Sequence, residues 1–354
     1  MAGGQKPSCY HNVPNRKGET IVVAGSGAYA GFVTYWNIPV FVSDAFSVHP
    51  IDGLLPKYVF HYLKNNQAKI HATKKGAGVP HVHGKDIAKF LIPVPPLEVQ
   101  EEIVRILDRF DVYAAELQAE LQARKEQYEY YRNLLLTFNP AGCAGEADDE
   151  QEGSVTTWGE HSYPIQWKTM GEIGKIKMCK RVMKNQTTDR GDIPFYKIGT
   201  FGKKADAFIS RKIFDEYKRL YSYPRKGTIL VSASGTIGRC VVYEGEEAYY
   251  QDSNIVWLDN DESIVLNTYL YHYYQIVNWN TEGGTIKRLY NDRFASTPIP
   301  VPPLELQEKI VAILDRFETL VNDLSEGLPA EIAAVKEQYE YYRNRLLTFK
   351  EKTA

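Results

Sequence analysis

Residues 125–133 read Lys-Glu-Gln-Tyr-Glu-Tyr-Tyr-Arg-Asn, and the same nine residues recur in the same order at positions 336–344. Upstream of each copy lies a second repeated stretch, Ile-Pro-Val-Pro-Pro-Leu-Glu-x-Gln, at residues 92–100 and 299–307. Both copies then run through Ile-Leu-Asp-Arg-Phe, which ends at Phe110 and Phe317. This much identity indicates a tandem duplication. A duplicated chain predicts a pseudo-two-fold molecule, which suits a ligand with two parts.

The part of each copy before the Pro-Val-Pro-Pro stretch is rich in glycine and in short β-branched or aromatic runs. These runs predict strands at residues 20–24, 32–36 and 40–42 in copy one, and at residues 228–231 and 241–243 in copy two. Gly27 aligns with Gly235, Tyr35 with Tyr243 and residue 44 with residue 252 without a gap. A helix is predicted next, at residues 57–70 and 268–277, followed by a glycine loop.

A long helix is predicted after each Pro-Pro pair, because proline is tolerated only in the first turn of a helix. Apolar residues follow in alternating steps of four and three, which predicts a coiled-coil seam. The predicted seam residues are Ile103, Leu107, Phe110, Leu117, Leu121, Tyr128, Tyr131 and Leu135 in copy one and Ile310, Leu314, Phe317, Val321, Leu324, Tyr342 and Leu346 in copy two.

The two helices are expected to pair with each other, since each buried strip needs a partner of similar length. Packing of each helix on its own globular part, or dimerisation through the seams, are the alternatives. Copy two has four extra residues near positions 327–330, which form a stutter, and Pro329 is expected to kink its helix.

Composition excludes several classes of protein. The 354 residues are 44% hydrophobic and 24% charged, which is typical of a globular protein with two or three domains. No apolar run approaches the roughly 18 residues of a membrane span, and the start lacks the apolar core of a secretory signal. The cysteines lack metal-ligand spacing and predict reduced thiols in the cytoplasm: Cys9, Cys143, Cys179 and Cys240.

Charge is uneven along the chain although the net charge is only −2. Residues 167–226 contain 16 Lys/Arg against six Asp/Glu, with aromatic and amide side chains between the cations. This pattern predicts a face that contacts nucleic-acid phosphates, with a plain solvated basic face as the alternative. Residues 139–157 are acidic and glycine-rich and predict a flexible linker.

The order of these motifs resembles the specificity subunit of type I restriction–modification systems, and the resemblance covers nearly the whole chain. It implies an α+β fold with two pseudo-symmetric target recognition domains separated by two long antiparallel coiled-coil helices. The implied boundaries are 1–96 for the first recognition domain, 97–138 for the first helix, 139–157 for the linker, 158–303 for the second recognition domain and 304–350 for the second helix.

The resemblance also implies a role. Such a subunit reads a split, asymmetric site in double-stranded DNA, and two methyltransferase subunits dock on it, with nuclease–translocase subunits as further possible partners. This chain is expected to have no cofactor of its own. S-adenosylmethionine would be bound by the methyltransferase, and ATP and magnesium by the nuclease–translocase. The outer residues shared by the repeated helices fit docking of two identical partners, or else recent duplication.

Copy two departs from copy one at residues 167–198, for which copy one has no counterpart. The first recognition domain is therefore expected to lack roughly its first 35 residues, and the missing strands would leave exposed sheet edges. Two further interpretations follow. The chain could be a silent or half-site reader that needs dimerisation or a complementing fragment, or an assembly scaffold that binds only protein.

No catalytic site is predicted, because the sequence has neither the Asn-Pro-Pro-aromatic motif of an adenine methyltransferase nor a Walker A motif. The histidines at 71, 81 and 83 more often indicate a polar surface than a metal site. Candidate DNA contacts are the cationic and amide residues next to glycine turns or within the basic segment. They are Lys74, Lys75, His81, His83, Lys180, Arg181, Lys184, Asn185, Lys203, Lys204, Lys287 and Arg288.

Overall fold

The computed structural model describes residues 9–10, 12–76, 78–138, 154–158, 161–282 and 287–349. The chain divides into two compact units, here called unit 1 (Met1–Gln122 with Asn322–Ala354) and unit 2 (Ala123–Val321). Each unit combines the strand-rich part of one copy with helical segments from both copies. The fold is α+β, as predicted, and none of the described helices is long and apolar enough to cross a membrane.

Unit 1 contains an antiparallel sheet of three strands in the order β2-β1-β3. The strands are β1 (Thr20–Ala24), β2 (Val33–Trp36) and β3 (Ala45–Val48). The first two confirm the sequence prediction. The predicted strand at residues 40–42 is wrong, because the Asn15 side chain bonds both the N–H and the C=O of Val42, at 2.7 and 2.9 Å. These are the backbone groups that a neighbouring strand would use.

In the described part of unit 1, three short helices follow the sheet. They are α1 (Pro56–Asn65), α2 (Gln67–Ala72) and α3 (Gly84–Ile87). The single helix predicted at residues 57–70 is therefore interrupted at Asn66, whose side-chain amide donates to the carbonyl of Tyr62 at 2.9 Å. The core of unit 1 forms between the sheet and these helices, with Ile21, Tyr58 and Ile70 fully buried.

The first long helix, α4 (Leu97–Thr137), confirms the prediction for residues 97–138. Within unit 1 it pairs with α10 (Leu328–Leu347). Phe110 stacks on Tyr342 with 5.7 Å between ring centroids, while Leu117 packs against Leu328 and Val335. Contacts that move forward along α4 thus move backward along α10, so the two helices are antiparallel. Ile103 and Leu107 instead enter the core of unit 1 together with Leu347.

The second predicted long helix is two helices. α9 (Leu304–Asn322) ends before a turn in which the carboxylate of Asp323 accepts hydrogen bonds from the backbone N–H groups of Ser325 and Glu326. Pro329 lies in the first turn of α10 instead of kinking one continuous helix. The seam prediction for Leu324 is wrong, because this residue lies in the turn and is 82% exposed.

Among the described residues, unit 2 has three sheets, built from the strands β4 (Ser154–Trp158), β5 (His161–Thr169), β6 (Gly174–Met178), β7 (Ile193–Tyr196), β8 (Phe208–Ile209), β9 (Ile229–Ser232), β10 (Cys240–Val242), β11 (Tyr249–Tyr250), β12 (Ile255–Asn260) and β13 (Pro298–Val301). The strand orders are β10-β9-β12-β6, β11-β7-β8 and β13-β5-β4. The predicted linker at residues 139–157 is too long, because its last four residues belong to β4, where Val155, Thr156 and Thr157 favour a strand. The rest of the predicted linker lies outside the described residues.

The helices of unit 2 include the C-terminal part of α4 and helix α9. The remaining ones are α5 (Met170–Ile173), α6 (Arg211–Leu220), α7 (Asn267–Tyr274) and α8 (Asn291–Ala295), with a 3₁₀ turn at Lys184–Gln186. Helix α7 confirms the helix predicted at residues 268–277 but ends three residues earlier. The core between the sheets is aromatic, with Trp257, Tyr249 and Phe201 almost fully buried.

The duplication is visible in buried hydrogen bonds. In unit 1 the hydroxyl of Tyr58 donates to the carbonyl of Pro93 at 3.0 Å, and in unit 2 Tyr269 donates to Pro300 at 3.0 Å. These tyrosines fix the Pro-Val-Pro-Pro segment against the preceding helix in each unit. Because proline lacks an N–H, such a segment relies on its carbonyls for backbone bonding.

Candidate nucleic-acid interface

In unit 2, four loops meet beside the β9–β12 sheet and form what we call the loop face: residues 198–204, 233–239, 251–254 and 287–289. The backbone N–H of Leu289 donates to the carbonyl of Ala233 at 2.9 Å. Arg288 donates through Nη2 to the Asn254 side-chain oxygen at 2.9 Å, and the Ser234 hydroxyl donates to the same oxygen at 3.0 Å. A half-buried arginine therefore fixes two of the loops.

The other loops are attached by side-chain bonds to backbone. Gln251 accepts from the N–H of Ile198 at 3.0 Å, and Arg239 donates to the carbonyl of Phe201 at 3.0 Å. Gly202 has φ +71°, a left-handed conformation that favours glycine, and the exposed Lys203 and Lys204 follow it. This turn therefore presents both predicted lysines to solvent.

The remaining cluster in the basic segment follows β6. Strand β6 pairs antiparallel with β12, with Met178 opposite Val256. The chain therefore leaves β6 beside the start of β12. Lys180, whose Nζ lies 4.9 Å from the ring centroid of Tyr221, is exposed there. The further predicted residues Arg181, Lys184 and Asn185 are also exposed.

Unit 1 builds the same loop face on different side chains. The N–H of Val82 donates to the carbonyl of Gly25 at 2.9 Å, as Leu289 does to Ala233 in unit 2. Ser26 forms an isolated bridge with His81, as Ser234 does with Arg288. His81 and Arg288, each predicted as a DNA contact, thus occupy equivalent backbone positions in the two units.

The polar side chains around these positions differ between the units. Lys75 exchanges two backbone hydrogen bonds with His81, and Glu282 exchanges two with Arg288. Lys75 forms an ion pair with Asp86 at 3.1 Å, whereas Glu282 pairs with Arg293, so the pair has the opposite polarity in unit 2. The backbone arrangement is therefore the same in the two units, whereas the charges of the side chains on it differ.

Three of the predicted contact residues already bond to other protein groups. Lys75 is engaged by Asp86, Lys74 Nζ lies 3.4 Å from the carbonyl of Ala28, and Arg288 is held by Asn254. Lys287, His81 and His83 are exposed, and the rings of His81 and His83 stack with 6.4 Å between centroids. The sequence predictions missed Ser234, Asn254 and Arg239. Of these, only Ser234 has an identical counterpart in the aligned loop of copy one, at Ser26.

One cluster in the described part of the chain has the residue types of a metal site. His272, Asp315 and Glu318 place ligand atoms within 4.8 Å of one another. His272 Nε2 is hydrogen-bonded to Asp315 at 2.7 Å, and His61 Nε2 is bonded to Asp108 at 3.0 Å in unit 1. Because the pair recurs in both units, it accounts for the docking of α7 on α9 and of α1 on α4 without an ion.

The nine-residue repeat contacts the globular part of each unit. In unit 2, the hydroxyl of Tyr128 lies 3.4 Å from His272 Nδ1, and the guanidinium of Arg132 donates to the side-chain oxygen of Gln275 at 2.8 Å. In unit 1, the equivalent Arg343 donates to Asn65 at 2.9 Å. Part of the sequence identity between the repeats therefore maintains the packing of each long helix against the globular part of its unit. Tyr130 and Tyr341, one position from the seam, remain exposed.

The chain was compared with known proteins. The type I restriction modification DNA specificity domain matches residues 8–126 and 164–334. A Haemophilus influenzae protein named as a type I restriction enzyme specificity subunit is 45% identical over 94% of this chain and 83% of its own length. The specificity subunit of an Escherichia coli type I restriction enzyme is 31% identical over 83% of this chain and 71% of its own length.

Solved structures agree on the fold. The type I restriction–modification S subunit of Mycoplasma genitalium superposes with a TM-score of 0.56 at 16% identity, over 99% of this chain and 88% of that one. A chain from a structural study of type I restriction–modification assembly has a TM-score of 0.57 at 19% identity, over 95% and 84%. The matched family domain and the 45% identical relative show that this chain belongs to the type I restriction–modification family, as a specificity subunit.

Proposed function

We propose that each loop face reads one half of a split site in double-stranded DNA and that the paired helices hold the two readers a set distance apart. The observation that carries the proposal is the equivalence of His81 and Arg288, which present different side chains from the same backbone frame. Two half-sites of different sequence require two similar frames with different polar groups. A fixed spacing between the readers would set the length of the unread spacer.

Phosphate contacts are proposed for the exposed lysines around the loop face of unit 2. Lys180, Lys203 and Lys204 are exposed and lie in the segment with the excess of cations. Long-stemmed cations on a surface neutralise phosphates without reading sequence. Base contacts would then fall to groups with a fixed orientation, such as Arg288, which Asn254 and the Ser234 bridge hold in place.

The chain is proposed to act as a non-catalytic subunit in the cytoplasm. Two methyltransferase subunits would dock on the outer faces of the repeated helices, where Tyr130 and Tyr341 are exposed. S-adenosylmethionine would be bound by those subunits, and ATP and magnesium by a nuclease–translocase partner. The absence of an adenine methyltransferase motif and of a Walker A motif from the sequence supports this division of labour.

The test is selection of randomised duplexes by the purified chain, alone and with its methyltransferase partner, over a range of salt concentrations. We expect a split motif and an affinity that falls steeply with salt, because phosphate contacts release counterions. A single half-site would instead support a half-site reader, and no binding with either preparation would support a protein scaffold. Methyl transfer by the chain alone would overturn the non-catalytic assignment.

A further inference from the structure

Arg288 lies where three loops of the loop face in unit 2 meet. Its backbone exchanges two hydrogen bonds with Glu282, at 2.8 and 3.0 Å, and forms an isolated bridge with Ser234. The N–H of Ala233 donates to the carbonyl of Asn254 at 2.8 Å, which joins the other two loops to each other. The backbone position of Arg288 is therefore fixed by hydrogen bonds that do not involve its own side chain.

The guanidinium of Arg288 is oriented by a second set of bonds. Its Nη2 donates to the Asn254 side chain at 2.9 Å, and the Ser234 hydroxyl donates to the same atom at 3.0 Å. Because arginine carries no acceptor, the atom that it contacts must be the amide oxygen of Asn254, which defines the orientation of that amide. A further contact of Nη2, with the Ser253 hydroxyl at 3.5 Å, lies at the limit of a hydrogen bond.

The backbone beside Asn254 has an uncommon conformation. Ser253, the preceding residue, has φ +52°, which lies in the left-handed region that residues other than glycine seldom adopt. Such a conformation costs free energy and persists only where the surrounding structure determines it, and it recurs at ligand-binding sites. The loop at residues 251–254 therefore places the Asn254 side chain under Arg288 control of position at a cost to its own backbone.

The bond to Asn254 leaves the guanidinium of Arg288 with one complete edge of donors. The Nη2 atom carries two N–H bonds, and when one of them points at Asn254 the other still lies parallel to an N–H of a neighbouring nitrogen. Two parallel donors match the adjacent N7 and O6 acceptors that guanine presents in the major groove. Adenine presents one acceptor and one donor there, thymine one acceptor and a methyl group, and cytosine one donor.

We propose that Arg288 reads a guanine in the major groove of the half-site that unit 2 contacts, and that Asn254 and Ser234 are positioning residues for this contact. The inference rests on the proposed function and names the base at one position of that half-site. Asn254 holds the plane of the guanidinium, and the Ser234 hydroxyl holds the Asn254 amide. A cation that only neutralised a phosphate would carry no sequence information and would need neither bond.

Modified duplexes test the contact at the level of single base atoms. At each guanine of the selected half-site in turn, 7-deazaguanine removes N7 and keeps base pairing, whereas hypoxanthine removes the minor-groove amino group and keeps N7 and O6. For the full chain with its methyltransferase partner, we expect one guanine at which 7-deazaguanine weakens binding by about fivefold or more and hypoxanthine by less than about twofold. In Arg288→Ala, 7-deazaguanine at that position should cause no further loss, because the group that contacts N7 is already absent.

Variants of Asn254 test the positioning role. Asn254→Leu keeps the volume of the side chain but removes the acceptor, so it should lose the response to 7-deazaguanine as Arg288→Ala does. Asn254→Asp keeps an acceptor for both Arg288 and Ser234 and should retain the response. Asn260→Leu is the matched control, because Asn260 lies at the far end of β12, where its amide donates to the carbonyl of Val265 at 2.6 Å. This variant also loses a side-chain hydrogen bond and should retain the response.

The outcomes separate this inference from the proposed function. A split motif in which no guanine responds through Arg288 would overturn the inference and leave the proposed function intact. Equal responses of Asn254→Asp and Asn254→Leu would overturn the positioning role. Weakening by hypoxanthine but not by 7-deazaguanine would place the contact in the minor groove and also overturn the inference. A chain that selected no split motif would contradict the proposed function itself, and the inference would fail with it.

Discussion

The side-chain oxygen of Gln307 accepts a hydrogen bond from the backbone N–H of Leu266 at 2.9 Å. Its amide nitrogen donates to the carbonyls of Ile264 and Pro302, both at 2.8 Å. Gln100 makes the three equivalent bonds in unit 1. A fully buried glutamine thus joins the start of each long helix to the loop before the preceding helix.

Replacement of this glutamine should destabilise its unit strongly. Gln307→Leu keeps the volume but leaves one N–H and two carbonyls without partners, which should lower the free energy of unfolding by about 3 kcal/mol. Denaturant titration measures this change. Gln118→Leu, at an exposed position of α4, should change it by less than about 0.5 kcal/mol. Equal effects of the two substitutions would show that the buried hydrogen bonds of Gln307 do not contribute to the free energy of unfolding.

The stability of unit 1 should depend on the protonation of His61. This residue is fully buried, its Nε2 is bonded to Asp108, and its Nδ1 has no hydrogen-bond partner among the described residues. Burial lowers the pKa of His61 below its ordinary 6.5, although Asp108 opposes the shift. The folded state therefore holds a neutral imidazole, and protonation would place an unsatisfied N–H in the core.

The sign of the pH dependence follows from the lowered pKa. Below pH 6.5 the unfolded chain takes up the proton first, so stability should fall as pH falls from about 7.5 to 5.5, by at most about 1.4 kcal/mol per pH unit. His61→Gln keeps a donor to Asp108 and should remove this dependence, whereas exposed His49→Gln should retain it. An unchanged slope in His61→Gln would contradict the assignment of the neutral form.

The seam of the helix pair in unit 1 should depend on Leu117 and not on Leu324. Leu117 is buried against Leu328 and Val335, while Leu324 lies in the turn between α9 and α10. Leu117→Ala should cost about 2–3 kcal/mol of unfolding free energy, through lost burial and a cavity. Leu324→Ala should cost less than about 0.5 kcal/mol. Thermal and denaturant unfolding of both variants measures these costs. Equal costs would contradict the position of Leu324 outside the seam.

The sequence predicted the long-range organisation well, because duplication makes each copy a template for the other. The constant offsets aligned the glycine loops, and the structure shows His81 and Arg288 at equivalent positions within them. Helix α4 was predicted to within one residue of its end, since its apolar repeat is long and its start is marked by two prolines.

The sequence predicted poorly where a polar side chain decides the local backbone conformation. Residues 40–42 have the composition of a strand, but Asn15, twenty-seven residues earlier in the chain, bonds the backbone of Val42. Leu324 fits the heptad pattern, but the carboxylate of Asp323 forms the turn that removes it from the helix. Neither interaction leaves a periodic signal, so a pattern-based prediction misses both.

The most specific prediction of the proposed function concerns His81 and Arg288. Because the two residues lie at equivalent positions of separate loop faces, each should influence one half of a split DNA site and leave the other half unchanged. Arg288→Ala should relax base preference in one half at a cost of about 1–3 kcal/mol, and His81→Ala should act on the other half. Selection of randomised duplexes by the chain with its partner subunits measures both effects.

Two controls separate base contact from loss of structure and from general electrostatics. Arg288→Lys keeps the positive charge but not the planar guanidinium whose Nη2 donates to Asn254, so it should fail to restore base preference. Lys203→Ala, on the exposed turn after Gly202, should weaken binding to all sequences alike and reduce the salt dependence. If Arg288→Ala and His81→Ala altered the same half-site, the two loop faces would not be independent readers, since one position would then govern bases that the other unit is proposed to contact.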